Sequence, residues 1–592
     1  MQWIGRIMLA LLAIIGGVTV LAILTVAWTV AHHRPQPLRG QLVLTVNLDD
    51  GVVETSGGGP LARLTEGQAV SLPDLVTALE RAAVDPNVKA LVVRLGGGRI
   101  GMAQAQDIRE AVLAFRKSGK RTVAYSAGLG DGSSGGSIAT YLASAFQEVW
   151  LQPSADVGLA GFMAQSPFVK GTLDLLGVKP EFAARWEYKS AIDTFTQTRF
   201  TKENRASLDM LLASWTDQAV DGIAQGRKLT PQAVRALLDR GPLMADEALK
   251  AGLVDRLAYW DELEKSLTEH GARFVGLDDY AARLPAVGNA VRVALITGVG
   301  AVRMGGDDSP FAEDETMSVQ RLTRAFRAAI KDPSIKAILF RIDSPGGSYT
   351  AADAIWRVVS LARAAGKPVV VSMGDVAASG GYFVGMAADR VVAEPGTITG
   401  SIGVFAGKIV LADLWGKLGV NWGEMNRGDD AGMWSMNQPF TPQAWERVNA
   451  MLDHIYADFT TKAEQGRHIP ADRMDALARG RVWSGADAKA VGLVDELGGF
   501  DVALGEVRKL VKLAPDAPLR LKTFPRPKGP LEMLAALFDG AGHDMAGMRS
   551  LTRAAQALGP LAVRLQDVDP RVAAELRLPA GMVPALHQGG TP

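Results

Sequence analysis

Three stretches of this 592-residue chain hold side chains and backbone suited to acyl chemistry. The first is RIDSPGGS at 341–348, where an apolar run enters Ser344-Pro345-Gly346-Gly347 and a helical pattern leaves from Thr350. Paired glycines let backbone N–H groups face a cleft without side chains in the way. Such donors can hold a developing oxyanion, although a plain strand-to-helix turn has the same pattern. The second is VVVSMGDVAASGGYFVGMAAD at 369–389, where Ser379 precedes Gly380 and Gly381 at a helix start. Free N–H groups and the helix dipole favour negative charge there. Ser379 is either an N-cap or a nucleophile, and in the second case the N–H groups of Gly347 and Gly380 would form the two halves of an oxyanion hole. The third is RWEYKSAIDTF at 185–195, which contains Lys189. Burial could bring its amine from about 10.4 toward neutrality. Trp186 and Tyr188 are candidates to shield it, and Ser190 and Asp193 lie nearby; an isolated lysine after a strand is otherwise a solvated one.

A serine nucleophile needs a base. The chain has seven histidines: His32 and His33 beside an apolar segment, His270 near a junction, His454 and His468 around a long helix, His543 and His587 in the tail. None sits in a glycine loop, so nothing supports a Ser-His-Asp triad. Lysine can serve instead if burial lowers its pKa.

The elements that must position these residues come in duplicate. DPNVKALVVRL (85–95) matches DPSIKAILFRI (332–342), SGKRTVAY (118–125) matches AGKPVVVS (365–372), and GLVD recurs at 252–255 and 492–495. Residues 41–48, 89–95, 121–125 and 148–153 in the first copy, and 291–298, 336–342, 368–373 and 390–395 in the second, read as buried strands. Helical patterns lie between them, including 103–119. Near-continuous apolar strands alternating with helices mean α/β architecture with mostly parallel sheets covered by helices. Each copy then enters a long amphipathic helix, about 201–226 and 441–466, ending in QGR. The expected organisation is anchor and linker 1–40, first repeat 41–287, second repeat 288–515, and a helical tail 516–592.

In the register where Pro153, Gly158 and Gly161 fall on Pro395, Gly400 and Gly403, Ser379 falls on Ser137 and Lys189 on Ala431. The first copy keeps the serine but has Ile138 and Ala139 for the glycine pair, and Leu95-Gly96-Gly97-Gly98 for SPGG. The second keeps the whole serine loop without the lysine; Arg427 is close, but a guanidinium stays protonated. Complementary loss points to one composite dyad, Lys189 with Ser379. Ser137 with Lys189 is the rival pair.

Composition narrows the function. Lys+Arg and Asp+Glu are both 63, and no basic excess exists to bind nucleic acid. Cysteine is absent, which removes disulfides, thiolate metal sites and thiol catalysis. No GxxxxGK[ST] phosphate loop occurs, so hydrolysis is expected to be ATP-independent. Ile7 to Ala31 carries no charge and exceeds the roughly 20 residues that span a bilayer; it reads as an uncleaved transmembrane anchor.

The motifs SPGGS, AASGGY, TGSIGVF (399–405), YKSA and WSGADAKAVGLVDELGG (483–499) resemble those of the signal peptide peptidases of the long, duplicated type, the serine protease group called SppA or protease IV. The likeness covers about residues 45–515. It implies two tandem domains of the Clp protease and crotonase type, with Ser379 as nucleophile, Lys189 as general base, Gly347 and Gly380 as oxyanion donors, and no cofactor or metal. It further implies peptide substrates, namely cleaved signal peptides, and a homotetramer. The body would lie on the extracytoplasmic side of the inner membrane, held to lipid by the N-terminal helix. Two other readings of the residues stand beside it: a non-catalytic membrane-tethered scaffold of Clp-like fold, and a crotonase-like acyl-CoA enzyme.

Overall fold

The computed structural model describes residues 38–55, 69–130, 135–269, 271–284, 288, 290–305 and 316–526. The apolar segment 7–31 and the tail beyond 526 lie outside the described residues. Among the described residues no helix is long and apolar enough to cross a membrane.

Strands β1 (Leu42–Asn47), β2 (Val88–Arg94), β3 (Arg121–Ser126) and β4 (Glu148–Leu151) form most of the first sheet. β5 (Lys179–Arg185) leaves it, and β6 (Arg256–Leu257) and β7 (Arg273–Gly276) complete it in the order β6-β4-β3-β2-β1-β7. The second half supplies β8 (Val291–Val299), β9 (Ile335–Ser344), β10 (Val369–Ala378), β11 (Arg390–Ala393), β12 (Ile398–Gly400), β13 (Val404–Val410), β14 (Val482–Ser484), β15 (Glu496–Leu497) and β16 (Leu519–Phe524). Its sheet runs β14-β12-β10-β9-β8-β16, with β11 beside β10 and β15 beside β11. Every pair in the two sheets is parallel except β12 with β14. One boundary moves: Leu519–Phe524, expected within a helical tail, pairs with β8 from Val291 to Ile296 as an edge strand.

Helices α1 (Leu72–Val84), α2 (Met102–Arg116), α3 (Gly136–Ala143) and α4 (Lys202–Arg227) belong to the first half. α5 (Val319–Lys331), α6 (Tyr349–Ala364), α7 (Gly380–Gly385), α8 (Pro442–Arg467) and α9 (Phe500–Leu510) belong to the second. Side chains alternate across a strand, and the second sheet uses both faces. Val293, Leu295, Leu339 and Val370 join the core built by α1, α2 and the first sheet, whereas Ala294, Ile296, Ile338 and Val371 pack under α5 and α6. The repeats therefore share a core and form one compact unit.

Charge is buried along that shared face. Arg341 on β9 is fully enclosed and reaches Glu54 at 2.7 Å and Asp107 at 3.0 Å, both from the first half. Asp375 on β10 accepts from the N–H groups of Ala103 and Gln104 at the start of α2. One arginine does not neutralise this many carboxyls. Burial, then Asp343 and Glu54, push the Asp375 carboxyl up to about 7. Glu394 is fully enclosed without a hydrogen-bond partner, and burial followed by Asp107 and Glu110 raises it well above the carboxylate range.

Candidate active site

Two strands that leave their sheets bring the halves of the site together. β5 from the first repeat and β13 from the second pair antiparallel, from Arg185 opposite Val404 to Lys179 opposite Val410. The N-terminal half of α8 covers this ribbon, with Val448 and Leu452 packed near Ala183, Val404 and Ala406. α4 in turn reaches the second repeat, where Trp215 Nε1 donates to the Gly396 carbonyl at 2.8 Å. Both long helices thus bridge the repeats, and the loop after β5 carries Lys189 into the second half.

Ser379 comes directly after β10 and precedes α7. Its φ of 55° and ψ of −119° lie outside ordinary L-residue territory, and its side chain caps nothing. The N-cap reading therefore fails. Such strain is stored where surrounding structure over-determines it. Here the glycines supply the constraint. A Cβ on Gly381 would lie 2.4 Å from the Ser344 carbonyl oxygen, and one on Gly380 would lie 3.0 Å from Gly347 N. The turn itself is fixed by Ser344 Oγ, which donates to the Gly300 carbonyl at 2.6 Å and accepts from Gly346 N–H at 3.2 Å. Val302 pairs with the strand on either side of Gly347, taking the Gly346 carbonyl and the Ser348 N–H. Among the described residues, the N–H groups of Gly347 and Gly380 have no backbone acceptor. They stand beside Ser379 as open donors.

Lys189 is 6% exposed. Its Nζ lies 3.0 Å from Ser379 Oγ, 2.9 Å from the Ser401 carbonyl oxygen and 2.9 Å from Ser401 Oγ. Among the described residues no carboxylate balances it, and desolvation lowers its pKa from 10.5 to about 7. The expected shields contribute unequally. Tyr188 lines the cleft beside Lys189, but Trp186 is 44% exposed, edge-on to Tyr456 and beneath the Arg479 guanidinium. Asp193 is held by Thr201 and Asn204 instead of the lysine.

The segment 479–481 of the second repeat encloses the amine. Tyr188 N–H donates to the Arg479 carbonyl, Gly480 N–H to Ile402, and Ser401 N–H to Arg481. Gly480 has a φ of +83°, and a Cβ there would sit 2.5 Å from Lys189 N. Ser401 and Gly480 are site residues that the motif reading missed. Ser401 stood inside TGSIGVF, but its contact with Lys189 spans 212 positions and leaves no local pattern.

The rival pair does not form. Ser137 Oγ accepts from Gly161 N–H at 2.9 Å and donates to the Gly161 carbonyl at 3.0 Å. The cleft around Ser379 and Lys189 has a volume of about 580 Å³ and apolar walls that include Val376, Phe383, Phe405, Ile455 and Phe459.

Proteins similar to this chain over most of its length are proteases. Peptidase family S49 matches residues 114–273 and 361–514, one stretch in each repeat, and the Clp protease family matches 315–397, which contains Ser379. Protease 4 of Salmonella typhi is 34% identical over 514 residues, covering 81% of this chain and 80% of that protein. The chloroplastic serine protease SPPA of Arabidopsis thaliana is 31% identical over 494 residues, 81% of this chain and 71% of that one. Protease 4 of Haemophilus influenzae is 30% identical over 469 residues, 76% and 74%. With a Clp-protease-like α/β fold and both repeats matched, the chain belongs to peptidase family S49 and is a serine peptidase.

Proposed function

We propose that this serine peptidase is an ATP-independent, membrane-anchored endopeptidase that degrades cleaved signal peptides through a Ser379–Lys189 dyad. The first repeat supplies the base and the second the nucleophile, from within one chain. The observation that carries this reading is the 3.0 Å approach of Lys189 Nζ to Ser379 Oγ beside an apolar cleft.

The hydrogen-bond arrangement suits proton abstraction. A neutral amine has two N–H donors and one lone pair. The Ser401 carbonyl and hydroxyl oxygens can take the two donors, which turns the lone pair to the Ser379 hydroxyl. Lys189 then accepts the Ser379 proton as Oγ bonds to the peptide carbonyl carbon. Gly347 and Gly380 N–H groups hold the carbonyl oxygen as it becomes an oxyanion. The ammonium returns the proton to the leaving amine, and water releases the acyl group by the same path.

An extended apolar segment suits the cleft walls, and a signal peptide is such a segment. The expected anchor at 7–31 would keep the enzyme where such peptides are released, with its body on the extracytoplasmic face; the tetramer expected from the family belongs to the same proposal. A serine-directed fluorophosphonate tests the chemistry. Label should vanish in Ser379→Ala and fall sharply in Lys189→Ala, and a synthetic signal peptide should be cut by the wild type alone. Equal labelling of all three chains would exclude the dyad.

A further inference from the structure

The duplication exposes a second site when matching positions are compared for charge. A pocket of about 380 Å³ lies where α2 and α4 end, lined by Arg109, Arg116, Lys117, Gln147 and Lys228, with no carboxylate on its walls. The same place in the second repeat holds Trp356, Arg363, Ala364, Asp389 and His468. Arg116 and Arg363 make the same backbone contact, to the carbonyls of Ala145 and Ala387. They differ in what neutralises them. Arg363 Nε donates to Asp389 at 2.8 Å. At the position of Asp389 the first repeat has Gln147, whose Oε1 accepts from Thr122 N–H at 3.0 Å and leaves the amide hydrogens free.

Helix C-termini attract cations, but that does not explain the excess. In the second repeat, where α6, α7 and α8 end as α2, α3 and α4 do in the first, every such cation has its carboxylate: Arg363 is paired with Asp389, and Lys462, which lies against Trp356, with Asp353 and Asp458. Two carboxylates of this region are already committed, Glu148 to Arg121 at 2.6 Å and Asp255 to Arg227 at 2.7 Å. Arg109 is 4% exposed, and its guanidinium is tied to the Tyr141 and Gly222 carbonyls and Ser144 Oγ. It cannot swing away. Burial first, and Arg227 second, lower the Arg116 guanidinium.

We infer that this pocket binds a phosphate-type anion, with Arg116, Lys117, Lys228 and the Gln147 amide as direct donors and Arg109 as fixed charge behind them. Charge-assisted hydrogen bonds from a guanidinium and two ammonium groups suit a tetrahedral dianion. The volume admits a phosphate monoester with part of its substituent, either free in solution or as a lipid headgroup.

The test uses the full chain in neutral detergent, titrated with inorganic phosphate against chloride of equal ionic strength, and separately with micelles doped with phosphatidic acid or phosphatidylcholine. Phosphate should raise the unfolding temperature, as a ligand of the native state must. Gln147→Asp, which installs the second repeat's own carboxylate, should weaken binding at least about tenfold. Lys117→Gln with Lys228→Gln, at exposed positions, should do the same, and the activity of both variants should stay at the wild-type level. Variant-sensitive binding to phosphatidic acid assigns a lipid headgroup; variant-sensitive binding to free phosphate alone assigns a soluble anion. No phosphate-specific shift in the wild type, or equal shifts in the variants, would overturn the site.

Discussion

Ser137 and Ser379 occupy matching places in two copies of one fold, and only the second faces a lysine amine. Ser137 is a helical residue, buried to 1% exposure and closed on Gly161 through both its donor and its acceptor. Ser379 has been driven to a φ of 55° with its hydroxyl turned to Lys189. The difference lies in the two residues after each serine. Gly380 and Gly381 let α7 press onto the SPGG turn; Ile138 and Ala139 pack toward the first repeat's core instead. Leu159 stands where the second repeat has Ser401, so the first copy has also lost the group that orients the amine. In the second repeat the close approach of two glycine segments presents the serine to the lysine, and in the first, where Ile138 and Ala139 stand instead, the serine is an ordinary helical residue.

The comparison is broken most severely by removing each serine in turn. Ser379→Ala should lower kcat by about 10⁴-fold or more, as for loss of a nucleophile that acts as a unit with its base, whereas Ser137→Ala should stay within about twofold of wild type. Assay of peptide hydrolysis by purified chains checks both. Because the proposed dyad pairs Lys189 and Ser379 of one chain, mixing Ser379→Ala with Lys189→Ala chains should restore no activity.

Glycine substitutions sharpen the contrast at the next level. Gly380→Ala puts a methyl 3.0 Å from Gly347 N, between the two donors, and should cost on the order of 10²-fold in kcat. Gly480→Ala forces Lys189 backbone to move and should cost a similar factor, with the acid limb of the pH–rate profile shifted upward as the amine gains solvent. Ser401→Ala should reduce kcat by about tenfold while KM changes little.

The smallest effect concerns stability. The folded chain holds a proton on Asp375 up to about pH 7, which the unfolded chain releases near 3.8. Stability from this group is present at low pH and is lost as pH rises through that window. Glu394, raised in the same direction, adds to the loss. Glu394→Gln fixes the neutral form and should flatten the decline, leaving the variant more stable than wild type at pH 8, measured by denaturant unfolding.

Much of this was readable from residue pattern. The central strands β1 to β4 and β8 to β11 announced themselves as apolar runs, because strands buried on both faces must be apolar throughout, whereas the short strands β6, β7, β12, β14 and β15 carry no such run; the long helices ended within a residue of expectation at Arg227 and Arg467. The β5–β13 ribbon was not readable. KPEFAAR is half-buried along most of its length, has no strong period, and finds its partner in the other repeat. Leu519–Phe524 alternates as an edge strand does and stood too near a proline-rich junction to be separated from the tail. The meeting of Ser379 with Lys189 was legible through motif and complementary loss, whereas Ser401 and Gly480 meet Lys189 through contacts that only the folded ribbon creates.

The central claim is that burial makes Lys189 a base for Ser379. The rate of Ser379 modification by a fluorophosphonate, measured from pH 5 to 10, tests it most directly. Neutral amine is required, so with a pKa of about 7 the wild-type rate should rise with pH, reach half its plateau near pH 7, and become slow and flat in Lys189→Ala. A midpoint near pH 10, or a midpoint near 7 that survives Lys189→Ala, would contradict it.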